Sequence, residues 1–241
     1  MNIPTSIKTL EEAANILYLW QEEPMGKNST LEIPSGQTVI HVKMLGEHAV
    51  DKKSKETFKV RIQDGGKFIF FDLQKFAHPS NVEVELLGMN SSVELFGLAD
   101  FEGKSKAEWS WKVAHQSPQT ESSQLVKSIL QDESSIDFTG KIYIAPKAQQ
   151  SNAKQMNKNL LLSKKAKCLS RPELEIFADD VKCGHGLTTS QFREDELIYL
   201  QMRGIKKETA KNLLSKAFVL DVLSKIPQLY AQKLAMTWGD M

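Results

Sequence analysis

Two cysteines in 241 residues are too few to staple a secreted disulfide framework, and the chain reads as suited to a reducing compartment. No stretch approaches the ~18 apolar residues that a membrane helix needs. A basic segment followed by an apolar one is missing from the first residues. Glu11 and Glu12 sit where a transit peptide avoids acids, so a cytoplasmic protein without membrane attachment is expected. Neither sign of charge prevails: 31 Lys plus Arg against 30 Asp plus Glu leave +1. That balance supplies no basic field for phosphates, and no nucleic acid is expected as a partner. Catalytic signatures are scarce too. There is no Cys-x-x-Cys for a self-contained thiolate cluster and no Gly-x-Ser-x-Gly elbow for a serine hydrolase. Gly97 to Ser105 ends in Gly-Lys-Ser, but five residues separate its glycines instead of four and no strand-to-helix context surrounds it. It reads as an exposed turn, so ATP binding by this chain is not expected.

What is present is an ordinary globular composition, 41% hydrophobic and 25% charged, enough for one or two cored domains. The chain divides into three parts. Residues 1–24 are expected to be helical: Thr9-Leu10-Glu11-Glu12 has the form of a capping box, Leu10, Ala13, Ala14, Leu17 and Trp20 follow at helical spacing, and Pro24 closes the element. Residues 25–188 carry short alternating strands. Phe58, Val60 and Ile62 lead into the Asp64-Gly65-Gly66 turn and Lys67–Phe71. Val82, Val84 and Leu86 repeat the alternation, followed by Val93 with Leu95. Trp109, Trp111 and Val113 come next, then Ile136 with Phe138 and Ile142 with Ile144. Strands so short and so close suggest a sandwich, barrel or solenoid, and no crisp internal repeat chooses among them. Residues 189–241 return to helical spacing. Glu194, Asp195 and Glu196 crowd a first turn, and Leu197, Leu200 and Met202 run to Arg203-Gly204. Ala210, Leu213, Leu214, Ala217, Phe218 and Val222 follow. Pro227 breaks the pattern before Leu229, Leu234 and Trp238.

His41, His48, His78 and His115 have no Cys or acidic partner at metal-ligand spacing and read as packing or surface residues, His115 in a polar loop. Glu83 and Glu85 share a strand face, which is the ordinary pattern of a solvated face. Cys183-Gly184-His185-Gly186 differs. On a strand, Val181, Cys183 and His185 project to one side, and the glycines permit close approach. Thiolate and imidazole suit iron in a cluster, or zinc, but two ligands are half a site. On these residues alone, an incidental Cys and His at a strand end is the simpler reading.

Pro172-Glu-Leu-Glu-Ile-Phe-Ala-Asp-Asp-Val-Lys-Cys-Gly-His-Gly186 resembles the signature of the SufB/SufD family of iron–sulfur cluster assembly scaffolds. Gln155-Met-Asn-Lys-Asn-Leu-Leu-Leu-Ser163 and Leu197-Ile-Tyr-Leu-Gln-Met-Arg-Gly-Ile205 are similar to it as well. The glycine-flanked His185 and the absence of any cysteine before Cys168 resemble the SufD branch. Cys168 itself is not at a family position, and the chain is shorter than the family, its N-terminal helical region reduced to Thr9–Trp20. The resemblance implies a mainly β protein: a right-handed parallel β-helix followed by a small C-terminal helical domain. It implies pairing with a SufB-type subunit, or homodimerisation, and helices that dock a SufC-type ABC ATPase through Leu197, Leu200, Arg203, Leu213, Leu214 and Phe218. Ligands for a nascent cluster follow from it too: His185 as metal ligand, Cys183 second. No tightly bound cofactor and no catalysis by this chain are implied; ATP hydrolysis belongs to the partner. The alternatives are a homodimeric β-helix interaction protein without cluster chemistry and, more remotely, a carbohydrate-active β-helix enzyme.

Overall fold

A computed structural model describes residues 3–13, 15–23, 29–46 and 56–238. Pro24 and His48, named above, lie outside them, as does Ala14. Among the described residues fourteen strands are followed by helices. The strands are β1 (Lys8–Ala13), β2 (Ile16–Gln21), β3 (Thr30–Ile33), β4 (Thr38–Lys43), β5 (Thr57–Ile62), β6 (Lys67–Gln74) and β7 (Ser80–Leu86). Longer ones succeed them: β8 (Ser92–Phe101), β9 (Lys106–His115), β10 (Glu121–Leu130), β11 (Ser135–Ile144), β12 (Ser151–Leu161), β13 (Lys167–Ile176) and β14 (Val181–Ser190). Then come α1 (Glu194–Met202), α2 (Lys207–Leu223), a 3₁₀ turn at Gln228–Tyr230 and α3 (Ala231–Trp238).

Successive strands alternate between two sheets. Even-numbered strands, with β1 at one edge, form a long sheet in the order β1-β2-β4-β6-β8-β10-β12-β14; odd-numbered strands form a short one, β13-β11-β9-β7-β5-β3. All pairings except β1 with β2 are parallel. The result is a parallel β-solenoid of about five turns with a small helical part, as the family resemblance implies.

The repeat that the residue pattern does not display lies in the backbone. At one corner of the solenoid, Gly36, Gly65, Asn90, Gln119 and Gln150 all adopt φ between 55° and 69°. Four of these amides donate one turn onward: Gly36 to the carbonyl of Asp64, Gly65 to Met89, Gln119 to Gln149, and Gln150 to Asp180. Left-handed conformation is easy for glycine and accessible to asparagine. The two glutamines show that the hydrogen-bonded stack, not residue preference, sets the geometry.

Between the sheets, alternate side chains make one apolar core that includes Leu31, Val60, Phe68, Phe70, Val84, Leu95, Trp109, Trp111, Val113 and Phe138. Trp109 and Trp111 stack at 5.6 Å opposite Gly97, where a Cβ would lie 2.6 Å from the first indole and 2.8 Å from the second. Polar groups at one bend are fully paired. The Asp72 carboxylate takes the Lys43 ammonium at 3.0 Å, the Gln74 amide at 3.0 Å and the Ser80 hydroxyl at 2.6 Å, and Ser80 in turn accepts from Trp111.

The outer face of the long sheet is apolar as well, through Trp20, Ile40, Phe71, Phe96, Leu98, Ile129 and Leu160, and the terminal helices cover it with Val219, Val222, Tyr230 and Leu234. The Tyr230 hydroxyl donates to the carbonyls of Leu19 and Ile40 at 3.1 and 3.0 Å. Lys127 is buried beneath α2, where its ammonium meets Asp221 at 2.6 Å, the Phe218 carbonyl and the Phe218 ring at 4.6 Å.

Two expectations are corrected. Thr9–Trp20 is not a helix but the β1–β2 hairpin, with Thr9 opposite Leu19. Ile16-Leu-Tyr-Leu-Trp20 alternates: Leu17 and Leu19 enter the core while Trp20 faces Tyr230, and β4 supplies a parallel ladder that a helix would forfeit. Helical spacing was coincidental with a strand buried on both faces. His115 ends β9, fully buried, and bonds Thr120 at 2.7 Å and Ser122 at 2.8 Å instead of lying in a polar loop.

His41 sits among Phe58, Phe68 and Phe70 with neither ring nitrogen hydrogen-bonded among the described residues. Burial, then the charge of Lys43, pushes its pKa down to about 3, and burial alone takes His115 to about 4. Both folded values lie below the ordinary 6.5, so the unfolded chain binds more protons in acid. Stability is therefore fully present above about pH 6.5 and falls as pH drops toward 4. Urea midpoints measured across that range should follow this slope. His41→Leu should flatten part of it and add about 1–3 kcal/mol at neutral pH, because it removes two bare nitrogens from an apolar site.

Candidate functional site

The two ends of the solenoid differ. At the first end, where β3 is the last strand of the short sheet, the long sheet is capped by β1, which lies antiparallel on β2 and exposes Lys8, Glu11 and Glu12, charges that discourage further strand addition. At the other end, among the described residues, β14 pairs only with β12, and β13 only with β11. Their outer edges carry unpaired backbone groups, and large apolar side chains accompany them: Phe177 is 59% exposed and Leu169 52%, with Leu187 and Ile176 also exposed.

Cys183 and His185 belong to this open edge. In register, Ala153 lies beside Cys183 and Gln155 beside His185, both on the inward face of β12. Val181 and Cys183 accordingly pack on Ile142, Ile144, Ala145, Ala148, Ala153 and Ala178. His185, two residues on, is exposed because no further turn covers it. Gly184 has open space where a Cβ would stand; at Gly186 that position is filled by the Met156 thioether, 2.8 Å from an ideal Cβ. A cavity along the strand is lined by Ser123, Asn152, Lys154, Met156, Lys182 and Cys183. Among the described residues no three His, Cys, Asp or Glu side chains converge as a metal site. Cys183 and His185 can offer one sulfur and one imidazole from the same strand. Completing a coordination shell takes donors beyond these two.

Burial raises the Cys183 thiol pKa, with the Ala153 backbone opposing it, so the thiol form is favoured. Cys168, on β13, is also raised by burial, against a hydrogen bond from Ser170 at 3.4 Å. Neither cysteine is disulfide-bonded.

The helical residues singled out earlier do not form one set. Leu197, Leu200 and Leu214 are half-buried, Leu213 and Arg203 are exposed, and Arg203 lies over the Tyr199 ring at 4.9 Å. Phe218 packs on the chain's own long sheet with Lys127. Residues missed in the sequence are the exposed Ile198, Tyr199, Met202 and Leu220. The first three lie on α1, which has no buried residue and so offers no periodic contrast by which to find them; Leu220 lies on α2, beside the buried Val219. Leu169 and Leu187, with Phe177 just past the end of β13, were missed for a different reason: on or beside a strand they look like core until the next turn fails to arrive.

Residues 38–218 match the family model described as SUF system FeS cluster assembly, SufBD core domain. A SufBD family cluster assembly protein of Synechocystis is 38% identical over 137 residues, 57% of this chain and 30% of that protein. The cluster assembly protein SufD of Escherichia coli is 28% identical over 198 residues, 82% of this chain and 47% of that one. SufD of Bacillus subtilis is 31% identical over 125 residues, or 52% and 29%. The chain thus spans less than half the length of each of these relatives.

Because their thiolates are suppressed, Cys168 and Cys183 should alkylate in the native chain at least about tenfold more slowly than in urea at pH 7.5, with rates climbing at higher pH. Mass spectrometry of timed iodoacetamide reactions reads both sites separately, and equal native and unfolded rates would contradict the burial argument.

Proposed function

The chain belongs to the SufBD core family of the SUF iron–sulfur cluster assembly system, and from that premise we propose that it is a SufD-like scaffold subunit that pairs with a SufB-type subunit. The observation that carries the reading is the open end, where both sheets stop at once beside Cys183 and His185. A partner that extends both edges must itself present two strands at the same spacing. Another β-solenoid has that form, which favours a SufB-type subunit or a second copy of this chain over an unrelated protein.

In this reading the cluster is cargo. His185 offers an imidazole at the seam and the partner completes the shell; Cys183, half-buried against alanines and isoleucines, serves packing first. A SufC-type ATPase would bind the terminal helices, where Ile198, Tyr199, Met202 and Leu213 are exposed beside Leu197 and Leu200. The sheet beneath them is anchored through Lys127 and Tyr230, so motion of the helices would be felt by the solenoid. ATP hydrolysis and sulfur delivery are assigned to partners, in a cytoplasmic complex.

Co-expression with SufB-type and SufC-type proteins of the same genome should yield a complex on co-purification. A stable assembly of this chain alone, indifferent to both partners, would favour the homodimeric alternative. Within the complex, His185→Ala should leave assembly intact and lower cluster formation at least about tenfold, a loss of ~1.4 kcal/mol or more in the coordinating step. Undiminished cluster formation would remove His185 from the role.

A further inference from the structure

The solenoid interior changes chemistry along its axis. One inward column runs in register through Leu19, His41, Phe70, Leu95, Gln124, Gln155 and His185. It is apolar or aromatic as far as Leu95, apart from His41, and then becomes carboxamide. Gln124 is 1% exposed and Gln155 3%; Asn157, beside Val126 in the next column, is also buried. Across the interior, Gly140 leaves the room that Gln155 fills, since a Cβ there would stand 1.7 Å from the Gln155 Nε2.

These amides are not satisfied by protein. Both Nε2 and Oε1 of Gln124, Oε1 of Gln155 and Nδ2 of Asn157 have no hydrogen-bond partner among the described residues. Buried amide groups bind something in folded chains, and where protein supplies no partner ordered water does. The identity of the atoms selects the occupant. Two are donors and two are acceptors, so an anion or a cation would satisfy half of them and repel the rest. Water donates and accepts, and satisfies all four.

We propose that the last two turns enclose ordered water bonded to Gln124, Gln155 and Asn157, and that this water column opens beneath His185. The hydration stands on the amides alone. Its use rests on the reading of His185 as a cargo ligand: the column gives the imidazole an interior hydrogen-bond partner, which holds the ring's tautomer and leaves the other nitrogen for metal. Gln155 is then a positioning residue for His185.

A high-resolution crystal structure of the full chain should show at least two waters, each touching two of these amides. A dry ladder with Gln124 bonded directly to Gln155 would overturn the proposal. In solution, the near-isosteric Gln124→Met and Gln155→Met should each lower the melting temperature by about 2–6 °C, as lost hydrogen bonds require. A raised or unchanged melting temperature means that the amides were bare, and sinks it. The ¹⁵N shifts of the His185 ring should report a changed tautomer ratio in Gln155→Met, and an unchanged ratio ends the positioning role. None of these readouts needs a partner or a cluster, so their failure leaves the scaffold reading intact, and failed co-purification leaves the hydration intact.

Discussion

Everything in this molecule depends on the parallel ladder that sets each turn in register on the one before it. A strand in such a stack is satisfied only when a neighbour lies on both sides, and every parallel neighbour is two strands away in sequence. No local interaction supplies that pairing. The stack therefore builds its own regularity at the corners, where five successive residues take the same left-handed conformation and four of their amides reach the next turn. Between turns like stacks on like where Phe71 lies on Phe96 at 4.9 Å, while Phe68 with Phe70 and Trp109 with Trp111 stack side by side along their own strands.

This dependence explains which parts of the fold were legible in the sequence. Strands β5, β7, β9 and β11 face solvent on one side, so Val and Ile alternate with Lys and Glu and can be read directly. Their outward charges pair across rungs, Lys59 with Glu83 and Arg61 with Glu85 and Glu32, and Glu83 and Glu85 are spoken for by those contacts. Strands β2, β4 and β6 of the long sheet are covered on both faces, by the core and by the helices, and their alternation fades. In β2 that loss left a string of apolar residues that fits helical spacing equally well. The repeat escaped notice because it is conformational: Gly, Gly, Asn, Gln and Gln share a φ value and no common side chain.

The candidate site was legible only in part, for a related reason. Cys183 and His185 were identified, and their common face follows from strand alternation. The opposite outcomes at the two residues, one packed and one exposed, follow from where the solenoid stops. Alternation places a side chain on a face but does not say whether another turn covers it. Phe218 illustrates the same limit. Its helical spacing is right for an apolar face, and the face is occupied by Lys127 and the chain's own sheet.

The two ends of the stack place function physically. A ladder must terminate, and each termination leaves a row of unpaired donors and acceptors. In the long sheet the first end is capped within the chain by an antiparallel strand bearing Lys8, Glu11 and Glu12. The second end has no such device among the described residues: β13 and β14 are ten residues each and carry the exposed Leu169 and Leu187, with Phe177 just past β13. An exposed edge of that kind invites pairing. The same end holds the polar interior and the exposed imidazole, where a partner's donors would meet His185 as the two stacks joined. Under the proposed pairing, assembly and ligand completion would be one event, because the seam that satisfies the ladder would also close the coordination shell.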